Sequence, residues 1–332
     1  MDIQKKFDPF DQMTFSYDKC FLCGDSLNGE SYSKEHIYPK WLQNKFDLWD
    51  EKLTLLNGTL IPYRSLTIPC CKKCNEIMNI AMEEKIEYAV NAGYNDFILL
   101  DEKIIFQWLN KLSYGILFKD LSLKRNRSNP KSESIYTEDA LREHRMQFIF
   151  LQSILYDTKF IDNPWSILIF KVDPSFKPDY WAYDNIILRT FMMKMNDIGI
   201  FAHLMDNGCQ KQMFIEVDIM KELLSKELHP IQFFELCAKL LYKSKLFNRN
   251  PFYQILWKED KLDSIISTPI SGSIFSEWNQ EEYAHCLEFF LKDWGLSFDD
   301  IYLGNELVIS YLRNEDGSFK NVIKEMNKVV LK

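Results

Sequence analysis

The chain has 332 residues, 46% hydrophobic and 15% aromatic, the composition of a folded protein long enough for a substantial core and, by length, for two domains. A formal net charge of −8 excludes a protein that coats nucleic acid through bulk positive charge, while leaving room for a local basic face. No apolar run of about eighteen residues occurs and the polar start lacks the apolar stretch of a signal peptide, so no membrane span and a cytoplasmic location are expected.

Residues 1 to 19 are polar with aromatic punctuation (Phe7, Phe10, Phe15, Tyr17) and are expected to wrap a first knuckle, Cys20-x2-Cys23, closed by Gly24. Ser31 to Ile37 reads as a strand carrying Lys34-Glu35-His36, stopped by Pro39, and Trp41-Leu42 opens a short turn or helix. Residues 43 to 60 form a connection with a turn signal at Asn57-Gly58. Tyr63 to Ile68 reads as a returning strand that Pro69 ends. A second pair, Cys71 and Cys74, then opens a helix whose apolar series Ile77, Met78, Ala81, Met82, Ile86 and Val90 keeps the 3.6 period as far as Gly93. In a reducing compartment two Cys-x2-Cys pairs present four thiolates to one tetrahedral ion, which makes Cys20, Cys23, Cys71 and Cys74 the expected ligands of a structural zinc. Cys70 competes with Cys71 for the third place, on poorer knuckle spacing.

The flanking cysteine pairs, the string Glu35-His36-Ile37-x-Pro39 and the ending Cys74-Asn75 together resemble the HNH (ββα-metal, His-Me finger) endonuclease family, over about residues 1–95. The resemblance implies an α+β protein with an N-terminal zinc-stapled ββα module, fused to a larger mixed α+β domain over 96–332 that has a regulatory, sensing or oligomerisation role. It implies a DNA-cleaving hydrolase, of the kind that serves as an effector in bacterial anti-phage defence or restriction, under the control of a partner protein or of self-assembly. Catalysis then falls to His36, with Glu35 and Asn75 as oxygen ligands of a catalytic Mg²⁺ or Mn²⁺ and Asn79, one helical turn on, as a further candidate. A neutral imidazole can take the proton of an attacking water at pH 7, and a hard cation stabilises the leaving oxygen. Strand alternation points Glu35 and His36 to opposite sides, so the family mechanism demands a bulge or bend there. Lys34, Lys40, Arg64, Lys72 and Lys73 flank the proposed centre and are candidates for phosphate contacts, with Tyr38 or Trp41 as stacking surfaces. The rival reading is a noncatalytic zinc-stapled module that docks on nucleic acid or protein.

Beyond residue 95 the pattern predicts a long buried helix from Asp101 to about Leu121, a basic loop over Lys124 to Lys131, and a helix capped by Thr137 and running to Tyr156. Strands are expected at Trp165–Val172, Ile186–Met195, Ile198–Met205, Met213–Val217, Pro251–Trp257 and Glu306–Leu312. Helices are expected at Met220–Leu228, Pro230–Phe247 and Gln280–Trp294. Cys209, Cys237 and Cys286 are scattered and read as small buried side chains, and the lone His144, His203, His229 and His285 suggest no second centre.

Overall fold

Every second residue of Tyr32–His36 is turned inward, and this strand, β1, pairs antiparallel with β2 (Thr67–Cys71) in a two-stranded ladder that aligns His36 with Thr67 and Tyr32 with Cys71. A computed structural model of the chain describes residues 7–12, 15–121, 123–129, 131–133, 135–136 and 142–323. The expected end of the returning strand at Pro69 is corrected: β2 runs through it to Cys71, and Tyr63–Ser65 is a 3₁₀ turn instead. Pro69 lies opposite Lys34 on a strand with one partner, where a missing N–H removes nothing from the ladder, and its carbonyl accepts from the Phe21 amide at 2.9 Å. Helix α1 (Lys72–Met78) starts on the next residue and continues as a π turn over Asn79–Glu83 and an α-helix over Glu84–Ala92, ended by Gly93 at φ 98°. The order strand, strand, helix expected from the sequence is therefore present.

The chain divides into two compact units, and the division does not follow the expected boundary at residue 95. The first gathers Met1–Asn91, Leu99–Asp162 and Tyr253–Ser267. Its centre is helix α2 (Glu102–Leu121), buried on nearly every side, so that Trp108, Leu109 and Leu112 share an interior with Asn110 and Lys111. Gly115 sets how close this helix comes to β1, since a Cβ there would stand 3.0 Å from the side chain of Ile37. A small hairpin, Lys52–Thr54 with Leu60–Pro62, occupies the expected connection. The helix Arg145–Gln152 lies within the predicted one, whose proposed cap at Thr137 is outside the described residues. A three-stranded sheet joins Lys159–Ile161 in parallel to Lys261–Ser267, which pairs antiparallel with Tyr253–Lys258.

The second unit gathers Ala92–Ile98, Asn163–Phe252 and Thr268–Lys332. Its sheet has the order Glu227–Leu228, Ser166–Val172, Ile198–His203, Thr190–Met195, Tyr180–Asn185, antiparallel except for the first pair. Helices Pro230–Lys245 and Gln280–Leu291 supply much of the apolar cluster, with Phe233, Leu236, Leu240 and Leu287 beside Phe170 and Phe201. The strand expected at Met213–Val217 is corrected to a helix, Cys209–Glu216. The buried Asp206 decides it, accepting from the amides of Gly208 and Gln210 at 3.1 and 2.9 Å and satisfying the first turn of that helix.

Candidate functional site

The four cysteines expected to share an ion converge: the Sγ atoms of Cys20, Cys23, Cys71 and Cys74 all lie within 4.8 Å of one another and all four residues are buried. Cys23 and Cys71 are 3.8 Å apart. An ion at about 2.3 Å from each sulfur in a tetrahedron requires S–S edges of about 3.8 Å, so the set is positioned to bind a metal and is compatible with zinc. The knuckle geometry is local. Gly24, at φ 77°, returns its amide to the Cys20 carbonyl, and Cys71 caps α1 by accepting from the Cys74 amide. Thiol donors of Cys23, Cys70 and Cys74 push Cys20 toward the thiolate, the form in which a metal takes it. Cys70 is buried beside the cluster with its thiol turned to the Cys71 carbonyl at 3.4 Å.

His36 closes β1 at the other end of the ladder. It is half-buried, its ring is stacked near Trp49 at 6.2 Å between centroids, and among the described residues no hydrogen bond engages that ring. Burial, followed by the charges of Lys40 and Lys111, holds its pKa below the ordinary value, so the imidazole is neutral at pH 7. Trp49, which the sequence did not single out, is partly exposed beside it. Arg64 donates from its backbone to the Trp49 carbonyl and pairs with Asp50.

Glu35 faces the other way. The ladder between β1 and β2 is continuous through His36 with no bulge, so the bend that would bring both side chains to one phosphate is absent. Glu35 is buried, and its carboxylate takes the ammonium of Lys111 at 2.5 Å. Lys111 also reaches Glu83 at 2.8 Å and the carbonyls of His36 and Ile37 at 2.6 and 3.0 Å. Burial opposes the charge on Lys111, and the two carboxylates overcome it, raising the lysine pKa. The π turn that ends at Glu83 gives this residue its place against α2. No sequence signal marks Lys111 as part of this group. Its partners lie 28 to 76 positions away in the chain.

The remaining expected residues divide. Asn75 sits in the first turn of α1 and donates to the Ser33 hydroxyl at 2.9 Å; Asn79 is exposed and donates to Glu84 at 2.6 Å. Neither amide group is engaged with Glu35 or His36. Lys34 and Lys40 are exposed and close enough for Lys40 to act on the His36 titration. Lys72 and Lys73 follow Cys71, whose ladder partner Tyr32 is four residues before His36, a distance of about 13 Å along a strand. The carboxylate expected to hold a catalytic Mg²⁺ is thus already occupied by a lysine, and the donor set does not fit that ion. No family model, curated protein or solved structure matches the chain.

Proposed function

We propose that the chain is an endonuclease that hydrolyses phosphodiester bonds in DNA, with His36 as general base and the four-cysteine cluster holding a structural zinc. One observation carries the reading: a neutral, half-buried histidine, whose ring makes no hydrogen bond among the described residues, closes the hairpin of a ββα unit, flanked by an exposed tryptophan and lysines. Zinc at Cys20, Cys23, Cys71 and Cys74 would supply folding energy to a segment with few elements of its own. His36 takes a proton from water, the water oxygen attacks phosphorus, the bond to the leaving ester oxygen breaks, and solvent returns a proton to that oxygen. Lys34, Lys40 and Arg64 offset phosphate charge, and Trp49 offers a face on which a base can stack. Because Glu35 is held by Lys111, no step is assigned to Mg²⁺ or Mn²⁺. Control by a partner protein or by assembly, within an anti-phage or restriction system in the cytoplasm, belongs to the same proposal.

The experiment is cleavage of supercoiled and linear DNA by the purified protein, with and without added Mg²⁺, beside His36→Ala. Cutting that His36→Ala abolishes supports the proposal. The occupied carboxylate favours a second reading, a noncatalytic DNA-docking module. DNA binding by wild type and His36→Ala alike, with cutting by neither, would replace the nuclease with that reading.

A further inference from the structure

We propose that Lys111 is the built-in cation of the Glu35 centre, so that the oxygen cage beneath His36 takes an ammonium from its own chain and binds no divalent ion. The cage has four walls: carboxylate oxygens of Glu35 and Glu83 and the carbonyl oxygens of His36 and Ile37, all between 2.5 and 3.0 Å from Nζ. An oxygen-only set with two carboxylates is what a hard cation prefers. Here the lysine is fully buried and shares its three protons among those four acceptors, so the place where a second cation would have to sit is filled by its ammonium. One ammonium against two carboxylates leaves a single residual negative charge, too little to draw a desolvated divalent ion past the lysine.

The attachment also explains how the centre is shaped. Lys111 stands one turn before Gly115, whose missing side chain lets α2 lie against Ile37, and this close approach brings Nζ within reach of the two carbonyls that follow Glu35. The ammonium therefore grips the backbone of His36 from behind the strand while the imidazole projects from the other side. Lys111 acts as a positioning residue: it fixes the peptide that carries the base and touches nothing that reacts.

Mn²⁺ is the probe, because its magnetic resonance signal reports bound against free ion directly. Zinc-loaded full-length protein is titrated with Mn²⁺ in four forms: wild type, Glu35→Gln, Lys111→Ala and the double variant that carries both changes. The expected result is no ion bound by wild type or Glu35→Gln, and a single ion bound by Lys111→Ala that a further Glu35→Gln removes. A wild-type protein that binds one Mn²⁺, lost in Glu35→Gln, overturns the proposal, as does a folded Lys111→Ala that binds none. Should Lys111→Ala fold poorly, melting with and without Mn²⁺ decides the variant arm: the ion must raise its melting temperature and leave that of wild type unmoved. The inference rests on the surroundings of Glu35 and not on DNA cleavage, so it and the nuclease reading fail separately.

Discussion

Asp120, near the end of α2, is 1% exposed, and among the described residues neither of its carboxylate oxygens makes a hydrogen bond of normal geometry. Burial lifts its pKa from 3.8 to about 6, a rise that the nearby Leu56 amide only softens. A raised carboxyl pKa means that the folded chain holds this proton more tightly than the unfolded chain, so ionisation at neutral pH costs stability. The full cost applies above the folded pKa and vanishes below the unfolded one. A rise of about two pH units at roughly 1.4 kcal/mol each gives a penalty of up to about 3 kcal/mol at pH 8, falling to about half by pH 5. Asp120→Asn keeps the shape and removes the charge. In urea titrations the variant should be more stable than wild type by up to about 3 kcal/mol at pH 8, with the gain shrinking as pH falls toward 4. An equal difference at both ends of the range, or a variant less stable at pH 8, would show that Asp120 has an unrecognised partner and that the reasoning is wrong.

Cys74→Ser should lose stoichiometric zinc, measured by elemental analysis of the purified protein, and the wild type stripped by a strong chelator should lose cooperative melting of the first unit, since structural zinc in small modules is worth roughly 10–16 kcal/mol of folding. If His36 is the base, its lowered pKa keeps it neutral through pH 7, so the cleavage rate should be level from pH 7 to 8 and fall only below the ordinary histidine value; a decline beginning above pH 7 would assign the base elsewhere. Gly199→Ala should destabilise by about 1–3 kcal/mol in denaturant titration, because its Cβ would stand 2.6 Å from the Phe233 ring and 2.8 Å from Val172; an unchanged midpoint would mean that the sheet and the helix Pro230–Lys245 part more easily than their packing suggests.

The cysteine cluster was legible because metal ligation imposes spacing on the sequence itself: a knuckle fits two cysteines three positions apart whatever surrounds it. The order strand, strand, helix was legible for a similar reason, as Tyr32–His36 and the series from Ile77 to Val90 each keep the period of their element. Glu35 shows where that ends. Strand alternation foretold that it would diverge from His36, yet nothing local indicated that a lysine from a distant helix would occupy it. The segment Met213–Val217 was misread because its composition suits a strand, whereas the deciding contacts belong to Asp206, upstream of the apolar run. Trp49 lies in a stretch without periodicity, so only the folded chain brings it beside His36.

The first unit is assembled from three separate stretches, and the last of them, Tyr253–Ser267, supplies the partner of Lys159–Ile161 from about one hundred positions downstream. During synthesis on the ribosome the strand Lys159–Ile161 therefore emerges without its neighbour and waits while the whole sheet from Ser166 to Leu228 is made. Pairings across such a separation form late, because the long intervening chain must first be brought to a loop. A nascent chain halted before residue 253 would carry the cysteine knuckles, β1 and His36 and still lack the strand that completes their unit.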